Sequence, residues 1–450
     1  MPLGLKVPKI GSASSSTVSS TATSAPVSSN TDDIDEVDDQ GQSILMGIIS
    51  QLRPGMDLSR ITFPTFILER KSMLERITNQ LQQPDIVLEA HATADPVQRF
   101  LLVVKWYLSG WHIAPKAVKK PLNPVLGEHF TAYWDLPNGQ KAFYISEQTC
   151  HHPPKSSYFY MIPESHIRVD GTAIPKSRFL GNSTAAIMDG VSILKFLDIK
   201  DSEGAPETYT LTQPNMYARG ILFGKLKLEM GDHMIVTCPV TGMSADIEFI
   251  TKGFISGTYD AIKGTVKKDN EALYEISGKW NEKMHIKDLK TKKTSLFLDT
   301  TVAVPLAPKV RPMEEQGDFE SRKLWHKVVT ALGERDHEAA TDEKFKIENY
   351  QRELAKKRVE DDVEFHPKLF KTVSNYDPSD KNQVEFVIYK NISEDADPQT
   401  QINEILSIAP ILPGQEFTEE FNIPAYEKHK SETTATATTS AADPVPSPTV

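Results

Sequence analysis

The sequence predicts a mainly β protein with flanking α-helices, built on a large antiparallel barrel or curled sheet. Three observations predict it. Apolar residues recur with period two from about 130 to 298, turn residues punctuate that stretch at short spacing, and the period becomes helical before and after it. A βαβ fold is excluded because no helical segment separates the strands. Ahead of the sheet, Ile44, Leu45, Ile48, Ile49 and Leu52 fall at helical spacing and Pro54-Gly55 stops the run, which predicts a short amphipathic helix over 42–52. A helical region over 72–111 follows. In it Asp95-Pro96 supplies an N-cap and an N1 proline before Phe100, Leu101, Val103, Val104, Tyr107 and Leu108.

Within the sheet, Phe143-Tyr144-Ile145, Tyr158-Phe159-Tyr160, Leu194 with Phe196 and Tyr209 with Leu211 mark strands. The clearest alternation sets Tyr274, Ile276, Gly278 and Trp280 against Glu275, Ser277 and Lys279. Pro137-Asn138-Gly139, Asp170-Gly171, Gly231-Asp232 and Asp269-Asn270 are the expected turns. After Pro305 the chain is charged and helical again, most clearly over 322–332 and 342–358. No internal repeat of fixed period is evident.

The 450 residues are 39% hydrophobic and 25% charged, an ordinary globular composition that excludes disorder of the whole chain. No stretch reaches the roughly 18 to 20 apolar residues of a membrane-spanning helix, and the N-terminus lacks the apolar run of a secretion signal, so a cytosolic protein is expected. Only Cys150 and Cys238 occur, which leaves no disulfide framework and no zinc-finger pattern. The net charge of −11 opposes non-specific nucleic-acid binding and simple adsorption to anionic membranes. An anionic partner therefore has to be met by a local basic site. Both ends are rich in Ser, Thr, Ala and Pro and read as tails; the run Asp32, Asp33, Asp35, Glu36, Asp38 and Asp39 reads as a solvated linker.

No phosphate-cradling Gly-rich loop, nucleophile elbow or HExxH helix is present. Glu147-Gln148-Thr149-Cys150-His151-His152-Pro153-Pro154 stands out instead, at the end of a strand over 143–146. Adjacent imidazoles on extended backbone point to opposite faces, a poor bidentate metal site, and no metal or cofactor is expected. Two prolines stiffen the chain behind them, which suits a fixed platform whose histidines donate to an anion. Lys120-Pro121-Leu122-Asn123-Pro124-Val125-Leu126-Gly127-Glu128 offers a cation and an amide three residues apart on a proline-pinned loop. Lys344, Glu348 and Arg352 share one helix face. Taken singly, each has an ordinary reading: a satisfied histidine pair, a turn, a solvated ion-pair ladder.

Together these residues are recognisable. EQTCHHPP closely resembles the EQVSHHPP fingerprint of the oxysterol-binding-protein family, and KPLNPVLGE resembles its second hallmark, with similarity over about 42–370 through Ser321-Arg322-Lys323-Leu324-Trp325 and Phe365-His366-Pro367-Lys368-Leu369-Phe370. Cys150 departs from the fingerprint's serine. The resemblance implies an incomplete antiparallel barrel around a lipid tunnel closed by an N-terminal lid, in a binding protein rather than an enzyme. It divides the chain into a tail (1–41), lid (42–71), helical region (72–115), barrel (116–305), C-terminal α/β subdomain (306–428) and tail (429–450). The lid segment looks most like that of short fungal members that exchange phosphatidylserine for phosphatidylinositol 4-phosphate, working in the cytoplasm at contacts between endoplasmic reticulum and plasma membrane. The partners so implied are those two lipids, anionic membranes touched transiently and an endoplasmic-reticulum tethering protein, with no nucleic acid.

The resemblance further assigns Lys120, Asn123, His151, His152, Lys344, Glu348 and Arg352 to the phosphoinositide headgroup, and Ser177 to that of phosphatidylserine. Glu348 is expected to orient Lys344 or to accept from inositol hydroxyls. Ile44, Leu45, Ile48 and Ile49 become the lid's apolar cover, and Phe66, Ile67 and Leu68 line the chain pocket; ordinary core packing is the competing reading for all seven. The physical logic is twofold. A phosphomonoester of charge about −1.5 to −2 needs several charge-assisted hydrogen bonds, and acyl chains leaving a bilayer lose roughly 0.8 kcal/mol per methylene unless a cavity hides them. The acidic run ahead of the lid would then repel an anionic leaflet once the lid has closed. Three rival classes remain at this stage: a sterol carrier of the same fold, a phosphoinositide sensor without net transport, and a hydrolase using the paired histidines.

Overall fold

The computed structural model of the chain describes residues 53–56, 64–113, 118–220, 226–253, 257–380 and 382–416, and the backbone of Ala425–Lys428. The helix expected over 42–52, with Ile44, Leu45, Ile48 and Ile49, the acidic run and the tails lie outside the described residues.

The period-two stretch folds as one antiparallel sheet of thirteen strands. These are β3 (His129–Asp135), β4 (Lys141–His151), β5 (Pro154–Ile162), β6 (Ile167–Phe179), β7 (Ser183–Lys200), β8 (Pro206–Leu211), β9 (Asn215–Arg219), β10 (Lys227–Cys238), β11 (Met243–Ile250), β12 (Ala261–Lys268), β13 (Glu271–Lys279), β14 (Lys283–Asp288) and β15 (Thr294–Asp299). β3 and β15 stand at the two ends of its hydrogen-bonded order, as an incomplete barrel requires, and β9 is a side branch between β7 and β10. Two shorter strands precede it, β1 (Leu68–Ser72) and β2 (Lys120–Leu122), paired in parallel.

The expected helical region comprises α1 (Met73–Arg76), α2 (Pro84–Ala92) and α3 (Pro96–Ser109). Asp95 caps α3 as expected, its carboxylate accepting from Gln98 N at 2.8 Å. Phe100, Val103, Val104, Tyr107 and Leu108 of α3 form one core with residues from β3 through β15, among them Tyr144, Tyr160, Leu194, Tyr209, Val236, Ile276 and Leu298. Helix α3 therefore fills part of the sheet's interior. Arg99 anchors it there through a paired contact to Glu207 of β8, at 2.7 and 2.8 Å.

Strands β4 and β5 are buried on both faces, which explains their unbroken apolar runs. Tyr144, Tyr158 and Tyr160 face the interior core, whereas Phe143, Ile145, Phe159 and Met161 join Leu369, Phe370, Ile405, Ile408 and Ile411 from the C-terminal region. Strand β13 is covered on one face only and keeps its clean alternation.

Two expected turns are strand residues instead. Asp170-Gly171 lies inside β6, where Gly171 makes room for a side chain: a Cβ there would sit 2.2 Å from Tyr158 Cζ. Gly231-Asp232 lies inside β10, at the point where its partner changes from β9 to β11 and Asp232 takes φ 65°. Asn138-Gly139 and Asp269-Asn270 do form turns, with φ 85° at Gly139 and 48° and 69° at the latter pair.

Beyond the sheet the chain forms α4 (Ser321–Leu324), α5 (His326–Gly333), α6 (His337–Glu360), β16 (Val363–His366), β17 (Phe370–Thr372), β18 (Phe386–Ile388), α7 (Pro398–Leu406) and β19 (Ala425–Lys428). The helix expected over 322–332 is broken at Trp325, whose indole N–H is held elsewhere, and that expected over 342–358 is longer because Asp336 caps it earlier. No helix among the described residues is long and apolar enough to cross a membrane.

Candidate functional site

The hallmark segments converge on two buried carboxylates. Glu128, fully buried, accepts from Ser72 Oγ at the end of β1, from Val125 N at 3.0 Å, from Ser321 Oγ at 2.7 Å and from Trp325 Nε1 at 2.9 Å. It therefore pins the loop after β2 to β1 and to α4. Glu147 is equally buried and accepts from the backbone N–H groups of Lys368 and Leu369 at 2.9 and 2.8 Å, which ties the closing segment to β4. The fingerprint does not follow a strand ending at 146 as expected; it forms the second half of β4. Gln148 and Thr149 are buried too, holding Ser156 and Ser157 of β5 at 2.6 and 2.9 Å. Exposure begins at Cys150 and continues through the fingerprint's histidines and prolines at the rim.

Burial pushes the Glu147 carboxyl up to about 7, against the pull of the Lys368, Leu369 and Phe370 N–H groups. The native chain then keeps this proton up to about 7, while an unfolded chain releases it near 4.5. Between those values the native state binds more protons, so the stability linked to this group falls as pH rises through the window. Glu147→Gln is expected to flatten the pH dependence of the urea midpoint between about pH 5 and pH 7.5; an unchanged slope would remove Glu147 as its source.

At the rim, His151 ends β4 and His152 enters the two-residue turn to β5. Their rings do not point to opposite faces as expected. They meet edge to face with centroids 4.5 Å apart, because His152 has left the extended backbone that would have turned it away. His151 is half-buried; burial, then His152, and also Arg358 lower its pKa, while the Pro124 carbonyl and Glu348 raise it. Helix α6 brings Lys344, Glu348 and Arg352 alongside. Lys344 Nζ donates to Glu348, and Arg352 Nη2 lies 3.6 Å from its other oxygen. Lys120 completes the group: desolvation, then the Lys344 charge, hold its ammonium below the ordinary lysine value against the attraction of Glu348. Glu348 thus acts on Lys120, Lys344, Arg352 and His151 together, a centring role beyond the orienting one expected.

The remaining candidates lie differently. Asn123 is exposed on the loop after β2. Ser177 is half-buried on β6, opposite Ala186, beyond the last residue of β6 that pairs with β5. Phe66 rests edge-on against His337, and Leu68 packs with Leu122, Trp325 and Val328 under α5. Ile67 is buried, and none of Phe66, Ile67 and Leu68 lines the interior cavity. On β1 the period of the strand turns Leu68 to the helices.

That cavity, about 750 Å³ including its open part, is lined by Met73, Ile77, Trp106, Tyr107, Met188 and Met216 among others. Its wall is mostly apolar, and unbranched methionines adapt to irregular hydrocarbon. Sequence reasoning did not assign these lining residues, Glu128 or Glu147 to the site. The two carboxylates carried a signal, since each sits at one end of a hallmark.

The family model described as oxysterol-binding protein matches residues 47–332. Oxysterol-binding protein homolog 6 of Saccharomyces cerevisiae is 66% identical over 406 residues, covering 90% of this chain and 89% of the relative. The Osh1 ORD domain solved with cholesterol aligns with a TM-score of 0.63 at 24% identity, over 76% of this chain and 85% of that one. The Osh3 ORD solved with PI(4)P, also from Saccharomyces cerevisiae, aligns at 0.58 and 20% identity, over 82% and 94%. The fold defines the class: a large, incomplete antiparallel β-barrel shared with ORD domains that were solved in complex with lipids. Within that class, the chain belongs to the oxysterol-binding protein family.

Proposed function

We propose that this protein extracts phosphatidylserine from one membrane and exchanges it for phosphatidylinositol 4-phosphate at another, with no covalent change to either. The observation that carries the reading is the rim cluster of Lys120, His151, His152, Lys344 and Arg352 around Glu348, drawn from three separate segments. A chain of net charge −11 gathers cations at one place against its overall field, and a phosphomonoester is the group that needs several donors at once. The methionine-lined cavity supplies the apolar cover for acyl chains. Support for phosphatidylserine comes from the lid segment's likeness to its subgroup. Work at contacts between endoplasmic reticulum and plasma membrane, held by a tethering protein, belongs to the same reading.

The test is transfer between two liposome populations. Phosphatidylserine is expected to move several-fold faster when the acceptor contains phosphatidylinositol 4-phosphate. A sensor would bind both populations and move nothing. One observation favours a second reading, a sterol as counter-cargo: Trp106 lines the cavity, and its Nε1, although buried, has no hydrogen-bond partner among the described residues. A lipid hydroxyl would satisfy such a group. Transfer of a fluorescent sterol in place of phosphatidylserine decides for it.

A further inference from the structure

Glu69 and Arg76 form an ion pair that the rim cluster does not use. Glu69 sits on β1, one residue after Leu68, which pairs with Lys120. Its side chain is 3% exposed, and Oε1 accepts from Arg76 Nη1 at 2.8 Å. The other oxygen, Oε2, is buried with no hydrogen-bond partner among the described residues. An ionised oxygen left so is costly unless something donates to it. Arg76 is 13% exposed and lines the interior cavity beside Met73 and Ile77. A guanidinium carries five N–H donors, and the contact to Glu69 occupies one of them.

We infer that Glu69 and Arg76 form a subsite for the zwitterionic headgroup of an aminophospholipid, Glu69 Oε2 taking the ammonium and Arg76 a carboxylate or phosphate oxygen. The inference rests on the reading of phosphatidylserine as cargo. Its chemistry is selective, because a pair with one negative and one positive member matches a zwitterion. The same carboxylate repels the phosphomonoester of phosphatidylinositol 4-phosphate, whose charge the Lys120 and Lys344 ammoniums attract instead. The two cargoes would then be told apart by different groups. The positions differ: α1 carries Arg76 at the cavity wall with Glu69 beside it on β1, whereas α6 carries Lys344 and β2 carries Lys120.

The experiment uses the full chain and vesicles containing phosphatidylserine, N-acetylated phosphatidylserine or phosphatidylinositol 4-phosphate. Glu69→Gln keeps the shape and removes the charge. It is expected to lower phosphatidylserine extraction about tenfold, the usual weight of one charge-assisted hydrogen bond, and to leave phosphatidylinositol 4-phosphate extraction unchanged. The N-acetylated lipid, having no ammonium, should be extracted equally by both proteins. The double exchange E69R/R76E keeps an ion pair for folding and should also lose phosphatidylserine. Equal extraction of phosphatidylserine by the original chain and Glu69→Gln would overturn the subsite, as would a parallel loss of both natural lipids, which would mark the pair as purely structural. If the original chain extracts no phosphatidylserine at all, the cargo reading itself falls.

Discussion

With His151 and His152 both replaced by alanine, phosphatidylinositol 4-phosphate extraction is expected to fall by two orders of magnitude or more while phosphatidylserine extraction persists. The rings stand 4.5 Å apart at the end of β4, and His151 shares the field of Glu348 with Lys120 and Lys344. Each hydrogen bond to a charged group contributes about 1.5 to 3 kcal/mol, so two lost donors account for a factor of at least about 10². Lys344→Ala should act in the same direction and also release one Glu348 oxygen, leaving that carboxylate only partly compensated, by Arg352, near the phosphate. Native mass spectrometry of co-purifying lipids reads both cargoes in one sample. Disappearance of both lipids from a folded double variant would mean that the histidines serve a feature common to the two, and the phosphomonoester assignment would fail.

The largest expected change in stability follows Glu128→Ala. Its carboxylate is the common acceptor for Ser72, Val125, Ser321 and Trp325, and burial is complete. Removing it leaves the Ser72, Val125 and Trp325 donors buried without an acceptor, Ser321 keeping the His129 carbonyl at 3.2 Å, and opens a cavity where β1, the loop after β2 and α4 meet. At about 1 kcal/mol or more per orphaned donor, with the cavity in addition, a loss near 4 kcal/mol is expected, a large part of the 5 to 15 kcal/mol typical of a folded protein. Glu128→Gln retains one acceptor oxygen and should cost roughly half as much. Urea unfolding followed by tryptophan fluorescence measures both, and a loss under about 1 kcal/mol for the alanine variant would show that the hub is dispensable. Lipid extraction should decline with it, since Lys120 and Asn123 belong to the segment the hub holds.

Much of the architecture was legible because it depends on local chemistry. Alternation in β13, the Asp95 cap with its N1 proline, and the Asn138-Gly139 and Asp269-Asn270 turns are each decided within a few residues. The errors came where a neighbour remote in sequence overrode a local signal. Gly171 reads as a turn residue until Tyr158 is seen to occupy the space its missing side chain leaves. Gly231-Asp232 reads the same way until β10 is seen to change partners there. The helix over 322–332 reads as continuous until Trp325 is drawn to Glu128.

The candidate site divides along the same line. Residue types at the rim were named from motif resemblance, and His151, Lys120 and Lys344 each fall within the field of Glu348. Their relative placement, and the reason the motifs are acidic at one end, required the fold. Glu128 meets Trp325 across 197 positions of chain, and Glu147 meets Lys368 across 221. No periodicity or spacing rule reaches that far.

From its amino acids alone, this chain specifies an antiparallel sheet between helical flanks, and its two hallmark motifs mark the family, because strand period, caps and short motifs are properties of neighbouring residues. Tertiary structure decided which face of β1 meets α5, which methionines line the cavity, and that Glu69, Glu128 and Glu147 are buried. Burial and long-range pairing are properties of the folded solid, where desolvation makes each unpaired charge costly and so selects its partner.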